Sequence, residues 1–390
     1  MLTTLAIANY RSLRDLVLPL SGLTLVTGAN GSGKSSLYRA LRLLADASRN
    51  GAVAALAREG GLTSTLWAGP EVIGRSVRQG RHPVQGVVRS GPVGLRLGFG
   101  GDEYGYALDL GLPAGVGNGM FGRDPEYKRE ALWHGPVLSS AKLLVDRHNG
   151  HVRARNAEGA WVSEQYPIGP ADSVLSEFAD PRSSPELLVL RDRIRSWRFY
   201  DQFRTDADAP ARQSRIGTRT PVLDHSGADL PAALQTIREI GDEDGMDAAI
   251  ADAFPGARVE IVDHDSRFGL RLRQHGLLRP LDAAELSDGT LRYLLWVAAL
   301  LTPRPPELLV LNEPETSLHP DLLPPLAALI TMAARKTQLI VVTHSRPLVA
   351  AIEATSDGSA STLTLVKDLS ETSLEGQGRL DQPPWHWPKR

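Results

Sequence analysis

The sequence predicts an α/β protein with a parallel core sheet, an antiparallel β subdomain and an inserted lobe of helices and strands. Three observations carry that prediction. Gly28-Ala29-Asn30-Gly31-Ser32-Gly33-Lys34-Ser35 fits G-x-x-x-x-G-K-[ST], placed between an apolar run at residues 23–27 and a helical repeat at Leu37, Leu41 and Leu44. Leu308-Leu309-Val310-Leu311 and Leu339-Ile340-Val341-Val342 are uninterrupted apolar runs, the pattern of parallel strands covered on both faces. Residues 93–99 and 104–110 alternate with period two across Gly100-Gly101-Asp102-Glu103, which marks an antiparallel hairpin.

The loop at residues 28–35 has a direct chemical reading. Its glycines let backbone N–H groups gather around a phosphate at the positive end of the helix that follows. Lys34 is placed to reach the terminal phosphates of a nucleotide, and the Ser35 hydroxyl to ligate magnesium. Bulk properties narrow the rest. The chain has 390 residues, a formal net charge of −2 and no cysteine. That excludes disulfides, thiolate metal sites and thiol catalysis, and gives no global basic charge for nucleic acid. The N-terminus lacks a basic stretch leading into a long apolar one, and the longest apolar run, residues 293–301, is too short for a bilayer. A cytoplasmic protein without direct membrane insertion is expected.

In chain order, residues 2–8 and 16–18 are expected as strands joined through Asn9-Tyr10-Arg11-Ser12-Leu13. The strand at 23–27 delivers the phosphate loop and its helix, which residues 52–61 are expected to extend. Residues 1–133 thus form the first part of a core. Residues 134–254 are expected as an inserted lobe, with a hairpin turning at Asn149-Gly150 and helices near 186–195 and 230–240. Within it, residues 201–220 are polar and read as a surface connection, although Arg204, Arg212, Arg215 and Arg219 could instead contact polynucleotide phosphates. Residues 255–390 complete the core, opening with paired strands at 258–262 and 268–273. Between those strands, Asp263-His264-Asp265 reads as a charged turn rather than a metal cluster. Asn312-Glu313 and Thr343-His344 follow the two apolar strands, and open parallel sheets bind ligands at the carboxyl ends of their strands.

Four separated motifs together resemble the ATP-binding cassette (ABC) ATPases, and so imply a P-loop NTPase of the ABC-ATPase head type. Residues 28–35 match the Walker A loop, and Leu286-Ser287-Asp288-Gly289-Thr290 is similar to the signature motif. Residues 308–313 are similar to the Walker B strand, running into a D-loop-like Pro314-Glu315-Thr316-Ser317-Leu318-His319-Pro320, and Thr343-His344-Ser345 matches the switch histidine. Ile7-Ala8-Asn9-Tyr10-Arg11-Ser12 and the phrase at residues 312–320 resemble the RecF, SMC and OLD-like branch, in its compact form without a coiled-coil arm or a Toprim nuclease domain.

That resemblance implies ATP and Mg2+ as cofactors and an ATP-dependent head-to-head homodimer, in which the signature of one protomer closes on the ATP of its partner. Lys34, Glu313 and His344 are then the catalytic set, with Glu313 polarising the attacking water and His344 contacting the γ phosphate. The nucleotide-binding set is Arg11, Asn30, Gly31, Ser32, Gly33, Lys34, Ser35 and Ser36 together with Ser287, Asp288 and Gly289. The metal set is Ser35 and Asn312. Asn312 stands where the family usually has aspartate, and an uncharged amide is expected to weaken magnesium binding and slow turnover. The Q-loop glutamine is expected at Gln79 or Gln85. The implied role is an ATPase acting on DNA or a DNA-associated partner in repair or antiphage defence. A nucleotide-gated module with little hydrolysis and a transporter subunit are the alternatives.

Overall fold

The computed structural model describes residues 1–49, 51–69, 94–113, 120–156, 158–163, 167–177, 184–378 and 380–390. Gln79 and Gln85, the two Q-loop candidates, lie outside the described residues. The chain divides into two compact units, one made of Met1–Ser21, Thr27–Ser196 and Leu363–Arg390, the other of Gly22–Val26 and Trp197–Thr362. The segment 134–254 expected as one insertion is therefore divided at Ser196. Its first part continues an antiparallel sheet, and its second supplies a strand, Arg198–Tyr200, to a parallel one.

The first unit holds an eight-stranded antiparallel sheet in the order Leu13–Pro19, Leu2–Tyr10, Gly94–Gly101, Tyr104–Gly111, Glu126–His134, Leu143–His148, His151–Arg155 and Trp161–Ser163. Alternation places Leu95, Leu97 and Phe99 in the interior, and the hairpin closes at Asp102-Glu103. The Asn149-Gly150 turn forms as expected, with Asn149 at φ +51°. The helix after the phosphate loop spans Lys34–Ala47 and buries Leu37, Leu41 and Leu44, each worth about 1.5–3 kcal/mol when withdrawn from water. Residues 52–61 do not extend it. Gly51 sits at φ +78°, which breaks the helix, and a separate helix Ala52–Arg58 begins.

Two ion pairs lie inside this sheet. Arg147 donates to Glu130 at 2.7 Å with both side chains fully buried, and Arg129 pairs with Asp146. Glu130 also accepts from the Tyr106 hydroxyl at 2.6 Å, from Ser173 Oγ at 2.5 Å and from the Val174 amide at 3.0 Å. Burial, reinforced by the Glu130 charge, pushes the Tyr106 phenol well up, so it stays a donor. A satisfied network of this kind ties the Glu126–His134 and Leu143–His148 strands to the Val174–Glu177 helical turn.

The second unit is built on parallel strands in the order Arg198–Tyr200, Leu308–Asn312, Gln338–Val342 and Leu23–Gly28, the last through its residues 23–26. Apart from Phe199, 9% exposed, their apolar side chains are buried to within 1% because helices cover the sheet, among them Leu230–Ile240, Asp288–Leu300 and Leu323–Ala334. The hairpin Arg258–His264 with Arg267–Arg273 turns at Asp265-Ser266, both at positive φ, so the Asp263-His264-Asp265 segment is a strand end and a turn. Among the described residues, no group of three or more His, Cys, Asp or Glu is arranged to hold a metal, and no helix is long and apolar enough to cross a membrane.

The interior ion pair gives a direct stability test. Arg147→Ala leaves the Glu130 carboxylate buried without its cation and is expected to cost about 3–5 kcal/mol in urea unfolding. A loss below about 1 kcal/mol, the range of surface pairs, would mean the pair is not a structural link.

Candidate nucleotide-binding site

The phosphate loop is shaped by two glycines that no other residue could replace. Gly28 has φ +142°, and an added Cβ would lie 2.3 Å from the Leu365 carbonyl oxygen and 2.6 Å from Ser32 Oγ. Gly33 has φ +111°, and its Cβ would meet Thr372 Oγ1 at 2.4 Å. Thr372 is 1% exposed, with Oγ1 at 2.8 Å from the Ser32 carbonyl and 2.8 Å from Ser12 Oγ. With a single hydroxyl proton, Thr372 donates to the carbonyl and accepts from Ser12, so it links the Arg11-Ser12 turn to the loop.

Lys34 is 6% exposed, and its ammonium donates to the carbonyls of Gly28 at 2.7 Å and Ala29 at 3.0 Å. The cation is thereby held inside the curl of the loop. Ser32 is 2% exposed, and its Oγ has no hydrogen-bond partner among the described residues. A buried hydroxyl in want of a partner, a caged ammonium and a backbone that a Cβ would obstruct are what a phosphate cradle requires. Asn30 and Gly31 are exposed at the loop tip, with Gly31 at φ +77°, and Ser35 and Ser36 lie in the first turn of the helix.

Arg11, expected to contact nucleotide, donates to Glu59 at 2.6 Å and has φ +50°. Glu59 also accepts from Tyr10, whose phenol is pushed up by burial and then by this hydrogen bond to Glu59.

In the second unit the strand ends do the assembling. Val26, Val342 and Asn312 are neighbours in register, since Val342 pairs with Val26 and Asn312 with Val342. The Glu313 amide donates to the Val342 carbonyl at 2.7 Å, and the Thr343 amide donates to the Val26 carbonyl at 3.0 Å. Three chain segments therefore leave the sheet at one edge. Glu313 turns there at φ +50°, a conformation costly for a residue with a side chain.

Around that edge, His344 Nδ1 lies 3.5 Å from Glu313 Oε1 and 3.4 Å from Glu315 Oε1. Glu315, only 7% exposed, accepts from Thr343 Oγ1 at 2.6 Å and from the His344 amide at 3.3 Å. The half-exposed His344 and Glu313 thus rest on a buried carboxylate. Asn312 Nδ2 donates to Asp201 Oδ1 at 2.8 Å. The structure accordingly brings Asn312, Glu313 and His344 together and adds Glu315 and Asp201, which sequence reasoning did not single out. Glu315 stood inside the D-loop phrase, whereas Asp201 gave no signal beyond following Trp197-Arg198-Phe199-Tyr200.

Ser287 is exposed and caps the helix Asp288–Leu300, accepting from the Thr290 amide. Gly289 is within the first turn of that helix, and a Cβ added there would lie 3.5 Å from the Ser317 carbonyl oxygen. Arg292 donates to the Thr316 carbonyl at 2.7 Å and Trp296 to the Pro314 carbonyl at 3.0 Å, so the helix is fastened to the loop after the Leu308–Asn312 strand. Arg212 donates to the Leu286 carbonyl and to Asp288, both at 2.8 Å, with an 8% exposed side chain. It is committed to holding the signature segment and is not offered to polynucleotide. Arg204 and Arg219 pair with Asp206 and Glu239 at the surface.

The family model described as "AAA domain, putative AbiEii toxin, Type IV TA system" matches residues 23–351. No curated protein matches the sequence. Among solved structures, an SmcHead bound to the C-winged helix domain of ScpA is 12% identical with a TM-score of 0.50, covering 96% of this chain and 97% of that one. The SMC head domain from Thermotoga maritima is 15% identical at TM-score 0.43, covering 96% and 97%. An Smc head with an extended coiled coil, bound to the C-terminal domain of ScpA derived from Pyrococcus furiosus, is 11% identical at 0.49, covering 96% and 95%. The fold is that of an SMC-type ABC-ATPase head, as the motif order implied.

The loop supplies its own test. Gly33→Ala is expected to cost about 1–3 kcal/mol in denaturant unfolding and to abolish nucleotide binding, because the added methyl group meets Thr372 in a left-handed backbone. Native-like unfolding and affinity would show that Thr372 does not confine the loop.

Proposed function

The chain belongs to that AAA-domain family, and from this premise we propose that it binds ATP with Mg2+ and hydrolyses it slowly as a head-to-head homodimer in the cytoplasm. The observation that supports this reading best is the register of Val26, Val342 and Asn312, which sends the residues before the phosphate loop, the Glu313 turn and the Thr343-His344 pair off one sheet edge. Phosphoryl transfer gains its rate from positioning and charge, and such an edge supplies both.

Each residue then has a role. Lys34 exchanges the Gly28 and Ala29 carbonyls for β and γ phosphate oxygens, and Asn30, Gly31, Ser32, Gly33 and Ser36 supply backbone and hydroxyl donors. Ser35 and the Asn312 carbonyl oxygen are the residues that would hold a hydrated metal, which would supply charge neutralisation to the phosphates. Glu313 accepts the proton of the attacking water. Glu315 positions His344, which donates to the γ phosphate. Ser287, Asp288 and Gly289, exposed or half-exposed at a helix N-terminus, meet the nucleotide of the partner protomer. Kinship of the Ile7–Ser12 and Asn312–Pro320 phrases with the RecF, SMC and OLD-like branch supports DNA or a DNA-associated protein as partner, in repair or antiphage defence. Asn312 favours a second reading, a nucleotide-gated module with little turnover, and phosphate release measured with and without DNA separates the two.

Glu313→Gln is expected to lower phosphate release at least ~100-fold while ATP affinity is kept, and to accumulate an ATP-bound dimer in sedimentation. Ser287→Arg in the same background is expected to return the protein to monomer. A dimer that is indifferent to Ser287→Arg would contradict the composite arrangement.

A further inference from the structure

The Leu308–Asn312 strand ends in an amide where the resembled ATPases place a carboxylate, yet the missing charge is close by. Arg198–Tyr200 runs parallel beside it with Arg198 opposite Leu309, Phe199 opposite Val310 and Tyr200 opposite Leu311. One residue further, Asp201 leaves the sheet beside Asn312, the last residue of its strand. Asn312 Nδ2 donates to Asp201 Oδ1 at 2.8 Å. Only the amide nitrogen can donate to a carboxylate, so the Asn312 carbonyl oxygen is left at the other corner of the amide as a free acceptor.

Asp201 is held in this place by its neighbour. Tyr200 is fully buried, donates to the Leu223 carbonyl at 2.7 Å and packs at 5.5 Å from Phe203 and 6.4 Å from Trp296. The carboxylate itself is exposed, and among the described residues its Oδ2 has no hydrogen-bond partner. A second, independent observation lies across the Leu308–Asn312 strand. Glu315 is buried against Thr343 and His344, and its Oε2 has no partner among the described residues. A solvent-facing carboxylate oxygen on one flank of Asn312 and a buried, unpartnered one on the other are acceptors of the kind that the waters of a hydrated cation can meet.

We infer that Asp201 supplies the metal-side carboxylate of this ATPase: the negative charge of the Walker B position has been relocated to the adjacent strand, and Asn312 joins it to the metal's hydration shell. This rests on the nucleotide-binding reading above. It replaces the expectation that an amide at 312 leaves the metal site uncharged. It also changes what Asn312→Asp does, because a second carboxylate beside Asp201 adds repulsion where the native amide made a hydrogen bond.

The test uses Mn2+ as a spectroscopic stand-in, with ADP as the nucleotide. Free Mn2+ is counted by electron paramagnetic resonance during titration of the ADP complex, and ADP affinity is measured separately in EDTA. Asp201→Asn is expected to weaken Mn2+ binding about 10–100-fold with metal-free ADP affinity unchanged. Asn312→Asp alone is expected not to tighten it. The exchange Asp201→Asn with Asn312→Asp, which restores one carboxylate and one amide in reversed places, is expected to recover native Mn2+ affinity. Unchanged Mn2+ affinity in Asp201→Asn, with ADP still bound in EDTA, would overturn this inference alone. Absence of ADP binding by the native protein would remove the nucleotide reading and this inference with it.

Discussion

Parallel hydrogen bonding between strands far apart in sequence is the constraint on which the rest of this structure depends. A register shift of one residue between Gln338–Val342 and either neighbour would turn every apolar side chain to the opposite face and move Glu313 and His344 out of line. Burial on both faces holds that register, because Leu309, Leu311, Leu339 and Val341 are fully enclosed in one core with the helix Asp288–Leu300. The polar residues at the strand ends thus inherit their positions from apolar packing a few residues away.

Polar contacts then refine what packing has fixed. Glu315 gathers Thr343 and the backbone and ring of His344, while Arg292 and Trp296 clip the signature helix to the loop that follows Asn312. Arg212 adds a clasp on Leu286 and Asp288. Each of these donors or acceptors lies in or beside the core, where a lost partner is costly, so the arrangement is stiff before any ligand arrives. Glu313 is among the non-glycine residues held at positive φ, a conformation that the surrounding contacts must over-determine.

Much of this was legible in the sequence, for physical reasons. Continuous apolar runs at 308–311 and 339–342 identify doubly covered parallel strands, and the Gly-Lys-Ser loop with its leucine repeat identifies the glycine-shaped turn into the helix Lys34–Ala47. The Asn149-Gly150 turn and the 258–273 hairpin followed from local preference. Long-range partnerships were not legible. Thr372 supports the loop from 340 positions away, and Asp201 meets Asn312 across 111. Neither pairing leaves a periodic trace, since each depends on which strands are neighbours. Arg212's role was hidden for the same reason, because it finds its acceptors at residues 283–288 only in the folded chain.

Central to the proposed function is that ATP engages the phosphate loop and also residues 312–316 and 343–346. Hydrogen–deuterium exchange on the full chain with and without ATP and magnesium addresses it most directly. Concerted protection of residues 28–36 and of residues 312–316 and 343–346, absent when Lys34→Ala removes the phosphate contact, is the predicted result. Protection confined to one of these sets, or protection that persists in Lys34→Ala, would contradict it.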